Sequence, residues 1–352
     1  MAVGLLAFAV AAAITHQSAA GAALRFDTTW YYRISQLGYL HRAPTGPTDY
    51  GGLRIAFFPG LPLVERAVHD VIGGGPAHTT LLVGAACLVV SCIVLWLLVV
   101  EDWDERIAWR SVVLFAFFPG AYIFPMAYSE ALAVPLAMVT LWGLRRRWFL
   151  LAGVAAGLAG SVRLLSVMLI GACVVGAARQ LTERDRSPGA VVRAVACPLL
   201  ACSGFVAYLI YLKSTTGYFF SFSTAERLGW QNNLSWLAPF HNLRVFFDRG
   251  FHGPPATIID CIGVFAVVGA IVLVAVVSMP LEYKVYAIGI LGAWLFTTNS
   301  GAWFRFIEFA FPVLIALASR VPDKLLLPLV GACAATLGIL IVLFASAVAF
   351  SP

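Results

Sequence analysis

Residues 79–100 read TTLLVGAACLVVSCIVLWLLVV and contain no charged side chain. A helix of about 20 apolar residues crosses a hydrocarbon core about 30 Å thick, so this stretch alone predicts a membrane span. Similar apolar stretches cover 3–24, 194–212, 256–278 and 325–348. The first of them lacks the basic region of a signal peptide, which predicts that it is retained as the first span.

The composition extends this prediction to the whole chain. Of its 352 residues, 61% are hydrophobic and 11% are charged, whereas soluble domains carry about 25% charged residues. So few charges exclude a soluble globular enzyme, a nucleic-acid-binding domain and a disordered chain. We therefore expect a single integral membrane domain over 1–352, whose net charge of +6 reflects orientation in the membrane and cations near an anionic substrate.

Three further apolar stretches are too long for one span, and each contains a break. Stretch 111–144 has its break at about 120–128, stretch 148–178 has its break at 161–163, and stretch 285–319 has its break at 297–305. Splitting each of them gives a polytopic all-α protein of about eleven transmembrane helices, several of them short. Short spans favour a cavity that opens to one leaflet, as an enzyme acting on a lipid would need.

Basic residues in short loops predict the orientation, because they stay on the cytoplasmic side. With the N-terminus in the cytoplasm, the inside loops hold Arg106, Arg110, Arg145, Arg146, Arg147, Arg179, Arg184, Arg186, Arg193, Lys284, Arg320 and Lys324. Two long loops, 25–78 and 213–255, then lie on the extracytoplasmic side, where we expect them to carry short amphipathic helices. The isolated charges Glu130, Arg163 and Arg305 fall on that same side.

Cysteine and histidine spacing predicts no metal site and no cofactor. The seven cysteines are Cys87, Cys92, Cys173, Cys197, Cys202, Cys261 and Cys333, all in or beside apolar stretches and without a CxxC pair. They are expected to be small residues facing the core or lipid. His41, His69 and His78 show no HxH or HxxxH spacing, which favours interfacial or hydrogen-bonding roles.

The densest polar cluster is RFDTTWYYRI at 25–34, where the first span reaches the outer face. Asp27 is a carboxylate at the membrane boundary, and such a group can act as the general base for a hydroxyl nucleophile. The alternative is an interfacial aromatic belt with one solvated aspartate. These residues alone leave both possibilities open.

Five stretches, in order, resemble motifs of the PIG-V-type mannosyltransferases, which are GT-C glycosyltransferases. They are FDxxWYxxIxxxGY at 26–39, AFFPGLPL at 56–63, FFPGAY with AYSEAL at 117–132, GLAGSVR at 157–163, and RF with FP at 305–312. Phe26, Leu164 and Phe306 depart from the residues that the family uses more often. The resemblance covers most of the chain and implies a GT-C-like fold.

The resemblance also implies a reaction: inverting transfer of mannose from polyprenyl-phosphate mannose to a lipid or glycan acceptor on the extracytoplasmic face. By this resemblance Asp27 is the catalytic base. Arg305 first and Arg163 second are the candidates for binding the donor phosphate, because preorganised guanidiniums stabilise the charge that grows on it. The alternative for Arg163 is a structural ion pair with Glu130. A DxD-type nucleotide-sugar motif is absent from the sequence, which agrees with a lipid-linked donor.

Further side chains are expected to support the site or to bind the acceptor: Glu130, Tyr31, Arg33, Tyr128, Trp230, Gln231 and Glu308. Glu130 could orient an acceptor hydroxyl or pair with Arg163 or Arg33. Asp49 is a second base candidate in a Pro/Gly-rich loop. The 213–255 loop could cover an acceptor groove, with Trp230 and Gln231 on the sugar, or could be an interfacial segment anchored by aromatic residues.

Two other classes share this composition. A transporter or lipid flippase with a polar, outward-facing cavity is the main alternative, although its polar groups would lie at bilayer depth in two symmetric halves. A scaffold subunit of a larger glycosylation complex is the other. The Ala-, Gly- and Val-rich composition indicates a bacterial plasma-membrane protein, with membrane lipids and no nucleic acid among its partners.

Overall fold

The structure, a computed structural model, describes residues 2–15, 24–182, 187–249, 255–298 and 301–346. These residues form sixteen α-helices, and within them the only β-type pairing is an isolated bridge between Leu234 and Thr297. The predicted all-α fold of a polytopic membrane protein is thus confirmed. The predicted spans 3–24 and 325–348, and the inside-loop residues 184 and 186, fall partly or wholly outside the described residues.

The first part of the chain contains α1 (Ala2–Thr15), α2 (Asp27–Leu37), α3 (Gly60–Ile72), α4 (Pro76–Val100), α5 (Glu105–Phe117), α6 (Ser129–Arg145), α7 (Phe149–Val162) and α8 (Met168–Thr182). The second part contains α9 (Pro188–Thr216), α10 (Ser221–Trp230), α11 (Ala238–Arg249), α12 (Pro255–Val276), α13 (Leu281–Leu295), α14 (Trp303–Phe309), α15 (Pro312–Arg320) and α16 (Asp323–Ala345). Short 3₁₀ turns lie at Gly52–Ala56, Pro119–Ile123 and Leu164–Val167.

The three predicted breaks are present in the structure. Helix α5 ends at Phe117 and α6 begins at Ser129, with the 119–123 turn between them. Helix α7 ends at Val162, and α13 ends eight residues before α14 begins at Trp303. Pro119 and Pro125 lie in the first break, whereas the other two contain glycine or serine and a charged residue but no proline. The long apolar stretches are thereby divided into short helices.

The predicted count of about eleven spans is not confirmed. Four of the described helical segments are long and apolar enough to cross a membrane: 77–100, 164–182, 188–216 and 323–345. Phe149–Val162 and Cys261–Val276 are apolar but shorter. The difference arises because the breaks that create short helices also take them below the length of a full crossing.

Helix α4 extends from one end of the helix bundle to the other. At its C-terminal end, Asp102 pairs with Arg145 and Glu101 with Arg146. Near its N-terminal end, Thr80 donates a hydrogen bond to Glu65 of α3. The helix has 25 residues and is therefore about 37 Å long. Its two ends are separated by at least the hydrocarbon thickness of a bilayer.

The pair α7 and α9 packs backbone to backbone. A Cβ on Gly157 would lie 2.5 Å from the carbonyl oxygen of Leu200, and one on Gly204 would lie 1.9 Å from the carbonyl oxygen of Gly157. Only glycine permits this approach, as in other helix pairs packed through small residues. Because α7 ends at Val162, the packing of α7 against α9 determines the position of the next residue, Arg163.

We expect Gly204→Ala to force α9 away from α7 and to destabilise the fold by about 1–3 kcal/mol, the usual cost of overpacking. Size-exclusion chromatography of heated, detergent-solubilised protein would show this as a lower apparent melting temperature. Gly331→Ala is the matched control, because a Cβ on this α16 residue meets nothing within 4 Å. Equal melting temperatures for the two variants would contradict the close packing.

Candidate functional site

Four charged side chains meet at the end of the bundle where α2, α6 and α14 begin. Arg305 Nη1 donates to Asp27 Oδ2 at 3.0 Å, and Arg305 Nε lies 3.3 Å from Glu130 Oε1. Arg163 Nη2 lies 3.0 Å from the same Glu130 oxygen. We call Asp27, Glu130, Arg163 and Arg305 the charge network, in which Glu130 bridges the two arginines. The alternative role expected for Arg163, a partner of Glu130, is thus present in the structure.

Each carboxylate of the charge network stands at the start of a helix. Asp27 is the first residue of α2 and follows Phe26, whose backbone is left-handed with φ of 52°. Glu130 is the second residue of α6. Carboxylates are favoured at these positions because the helix N-terminus carries partial positive charge. Arg163 directly follows the last residue of α7.

Arg305 reaches the charge network from the short helix α14. The 119–123 turn lies directly against this helix, since a Cβ on Gly120 would lie 2.2 Å from the carbonyl oxygen of Phe304. On its other side the turn packs against α16, with the Tyr122 and Phe344 ring centroids 5.0 Å apart. The 119–123 turn that follows α5 therefore packs between α14 and α16.

Aromatic rings surround both guanidiniums. The guanidinium carbon of Arg305 lies 5.6 Å from the Tyr128 ring centroid and 5.3 Å from that of Phe306. The guanidinium carbon of Arg163 lies 5.4 Å from the Phe306 ring. Cation–π contacts at this distance stabilise a partly desolvated cation. The two arginines are therefore held in place by rings as well as by carboxylates.

The second predicted tyrosine, Tyr31, also borders the charge network. Its side chain is buried and hydrogen-bonds with Ser129, and the Ser129 hydroxyl accepts a bond from Arg163 Nη1 at 3.0 Å. Ser129 was not among the residues predicted from sequence. The only local signal for it is its place between Tyr128 and Glu130 in the AYSEAL stretch.

The two carboxylates differ in accessibility. The Glu130 side chain is 1% exposed, whereas that of Asp27 is 24% exposed. The Glu130 carboxylate contacts neighbouring side chains, the two arginines and Ser129, while Asp27 can be reached by a molecule entering from outside. The site thus contains one supporting carboxylate and one available carboxylate.

The charge network has the chemistry to bind an anion. Each arginine has five N–H donors in a planar fork, and the contacts given above use only part of them. Two guanidiniums and two carboxylates balance in formal charge, so a phosphate that binds here competes with Asp27 and Glu130 for the arginines. Asp27 is the partner easier to replace, because it is the more exposed of the two.

An aromatic cluster of Trp30, Phe57 and Trp230 lies beside the charge network. Ring centroids are 5.3 Å apart for Trp30 and Phe57, 5.4 Å for Trp30 and Trp230, and 5.3 Å for Phe57 and Trp230. Phe57 lies 5.2 Å from Tyr31, which connects the cluster to the site. The structure thereby brings the 213–255 segment onto the 25–78 segment.

Three other predicted site residues lie outside the charge network. Arg33 is exposed on α2 and forms no ion pair with any residue that the structure describes. Glu308 is fully buried, and neither carboxyl oxygen has a hydrogen-bond partner in the described part of the chain. Gln231 ends α10 in a left-handed conformation, and its carbonyl oxygen accepts a bond from Thr298.

Asp49, the second base candidate, organises its own loop. It pairs with Arg42 through two oxygens, one at 2.9 Å, and accepts bonds from the backbone N–H groups of Thr45 and Gly52. The Arg42 guanidinium and these N–H groups hold the pKa of Asp49 well below its usual range. A carboxylate held in this way is a poor proton acceptor at neutral pH.

Comparison by sequence identifies no relative: no protein-family model and no curated protein matches the chain. Comparison by structure identifies similar proteins. ArnT from Cupriavidus metallidurans aligns with this chain in two states. The TM-score is 0.53 for apo ArnT and 0.55 for ArnT bound to undecaprenyl phosphate. Identity is 15% in both, over 87% and 92% of this chain and 56% and 60% of ArnT.

An oligosaccharyltransferase from Archaeoglobus fulgidus, in complex with zinc and sulfate, gives a TM-score of 0.53 and 15% identity over 98% of this chain and 53% of its own. The chain thus spans a little more than half the length of these neighbours. The similarity shows that the chain shares the fold of these two proteins.

Proposed function

We propose that the chain is an inverting glycosyltransferase that transfers mannose from polyprenyl-phosphate mannose to a lipid or glycan acceptor. The observation that carries the proposal is the charge network, where the accessible carboxylate of Asp27 lies 3.0 Å from the guanidinium of Arg305. The fold supports it, because ArnT shares this fold and binds undecaprenyl phosphate. Mannose as the sugar rests on the motif resemblance.

In the proposed reaction, Asp27 takes the proton from an acceptor hydroxyl as that oxygen attacks the anomeric carbon. The new bond forms on the ring face opposite the phosphate, so the configuration inverts. The bond between the anomeric carbon and the phosphate oxygen breaks, and its electron pair stays on the phosphate. The products are the mannosylated acceptor and polyprenyl phosphate, and the proton remains on Asp27 until it passes to water.

Arg305 and Arg163 stabilise the leaving phosphate, whose negative charge grows during bond cleavage. Arginine suits this role because its planar fork binds two phosphate oxygens at once. Before the donor binds, Arg305 pairs with Asp27. A donor phosphate competes for Arg305 and so frees Asp27 to contact the acceptor hydroxyl, which favours proton transfer only when both substrates are present.

The buried Glu130 acts as the anchor of both arginines in this proposal. It is in contact with Arg163 and Arg305, and it keeps them directed at one point while Asp27 is engaged with the acceptor. Tyr128 and Tyr31 line the same space. We place this space on the extracytoplasmic side of a bacterial plasma membrane, with the N-terminus in the cytoplasm, as the distribution of basic residues predicts.

The base is tested with Asp27→Asn, which keeps the shape of the side chain but cannot accept a proton. Transfer should fall about 10²–10⁴-fold, the usual contribution of a general base, while undecaprenyl phosphate binds equally or more tightly because Arg305 loses a competing carboxylate. The measurement is mass spectrometry of products formed in nanodiscs from polyprenyl-phosphate mannose, a bacterial lipid extract and candidate glycans.

Asp70→Asn, at an exposed position of α3, is the control and should retain transfer. Asp49→Asn tests the second base candidate. Full activity of Asp27→Asn would overturn the assignment of Asp27. Flux of a lipid or solute in proteoliposomes, with no glycosidic product from the wild type, would replace the enzyme by the transporter alternative.

The phosphate site is tested with Arg305→Lys, which keeps the positive charge and removes the planar fork. We expect the Kd for undecaprenyl phosphate to rise about 10-fold or more, since a charge-assisted hydrogen bond contributes about 1.5–3 kcal/mol, and transfer to fall further. Arg163→Lys should show a smaller rise. Arg320→Lys, an exposed residue at the end of α15, is the matched control, and an equal Kd for all three would contradict the site.

The anchor role is tested with Glu130→Gln, which leaves two partly buried guanidiniums without their shared carboxylate. Breaking such a buried pair costs about 3–5 kcal/mol, so the apparent melting temperature should drop clearly. Adding Arg163→Gln to this variant should recover part of the loss, because the double variant removes the unpaired charge as well. Strictly additive losses in this cycle would show that the two residues act independently.

A further inference from the structure

Helix α10 packs against the 52–56 turn and contributes Trp230 to the aromatic cluster beside the charge network. Its inner face carries Phe222, Glu226 and Trp230, which are spaced four residues apart and therefore lie on one side of the helix. Phe222 packs 5.7 Å from Phe58, and Trp230 belongs to the aromatic cluster. Glu226 stands between these two anchors and faces the same way.

The Glu226 carboxyl lies one helical turn from Trp230, beside the charge network. The Trp230 ring lies 5.3 Å from Phe57, and Phe57 lies 5.2 Å from Tyr31, which borders the charge network. Its Oε2 accepts a hydrogen bond from Asn232 Nδ2 at 3.5 Å. The other side-chain atom of Asn232, Oδ1, is buried and has no hydrogen-bond partner among the described residues. At the edge of the site, the Glu226 carboxylate thus lies beside the Asn232 amide, which uses its nitrogen but not its oxygen in hydrogen bonds to the described residues.

Hydrogen bonds connect residues 233–235, which follow α10, to residues 296–298, which lie between α13 and α14. Asn233 and Thr298 exchange two hydrogen bonds of 2.9 Å, from the Asn233 N–H to Thr298 Oγ1 and from the Thr298 N–H to the Asn233 carbonyl oxygen. Ser235 N–H donates to the Phe296 carbonyl oxygen at 2.8 Å. These bonds hold Asn232 at a defined place relative to the helix that carries Arg305.

The chemistry of this edge does not suit the donor phosphate. A carboxylate repels a phosphate, and the two arginines already provide the cationic side of the site. Carboxylate and amide oxygens accept hydrogen bonds from hydroxyl groups, and an amide nitrogen donates to them. Beside an apolar aromatic surface such as that of Trp230, this set of groups matches a neutral, polyhydroxylated ring.

We propose, building on the glycosyl transfer proposed above, that Glu226 and Asn232 bind the hydroxyl groups of a saccharide or polyol acceptor. Glu226 accepts from one or two acceptor hydroxyls, and Asn232 Oδ1 accepts from a neighbouring one. The acceptor then lies between Asp27, which takes the proton from the attacking hydroxyl, and α10, which selects the ring that carries it.

Protonation of Glu226 supplies an independent readout of this role. Burial raises the pKa of Glu226 to about 6, the bond from Asn232 and the charges of Arg163 and Arg305 oppose the rise, and Asp27 adds to it. At pH 7.5 the side chain is ionised and accepts hydroxyl donors through both oxygens. At pH 5 it is protonated and loses part of this capacity, so acceptor binding should weaken as the pH falls through 6.

The proposal is tested by saturation-transfer difference NMR, which detects weak binding without requiring turnover. The full chain in nanodiscs is mixed with methyl α-D-mannopyranoside, and separately with myo-inositol, as polyhydroxylated probes. We expect ring-proton signals from at least one probe and an about 10-fold higher Kd for Glu226→Gln, which removes a charged hydrogen-bond acceptor. Asn232→Ala removes a neutral acceptor and should give a smaller rise. The Kd for undecaprenyl phosphate should not rise in either variant, because neither residue binds the phosphate and Glu226→Gln removes a repelling charge.

Arg227→Gln is the matched control, because Arg227 is the exposed neighbour of Glu226 on the same helix. The wild-type Kd for the probe should also rise between pH 7.5 and pH 5, and that of Glu226→Gln should not. Absence of probe binding to the wild type, or an equal Kd for wild type and Glu226→Gln, overturns the inference. Probe binding that depends on Glu226 without any mannosyl transfer would keep the hydroxyl site and reject the proposed reaction.

Discussion

The contact of Arg305 with both Asp27 and Glu130 is the interaction on which the site depends. In a chain with only 11% charged residues, a charge away from water is costly unless an opposite charge lies beside it. Arg305 is paired on two sides and Glu130 on two sides. The network is therefore neutral as a whole, and each of its members is positioned by another.

This neutral network is also suited to binding. A site made only of arginines would be difficult to bury, and a site made only of carboxylates would repel a phosphate. In the proposed reaction, an anion displaces Asp27 and binds to the hydrogen-bond donors of the two guanidiniums. The more exposed Asp27 is then the carboxylate that changes partner, and the buried Glu130 is the one that keeps the arginines in place.

The breaks between short helices create the geometry of the site. Asp27, Glu130 and Arg163 each stand at a helix end, and Arg305 lies in a helix of seven residues. A continuous span would carry these side chains at bilayer depth without partners. Ending the helices at proline, glycine and serine brings several chain ends to one place, and α10 with Trp230 then closes this place on one side.

The amino-acid sequence by itself determines the membrane class, the all-α fold and the three breaks, because composition and the polar, glycine and proline residues within long apolar stretches act locally. It also singles out Asp27, Glu130, Arg163 and Arg305, since isolated charges are rare in apolar stretches. Only the tertiary structure decided that Glu130 bridges both arginines, that Arg33 and Glu308 lie apart, and that Glu226 approaches the site. These outcomes depend on side-chain direction and on contacts between residues as distant as 27 and 305, which packing alone sets.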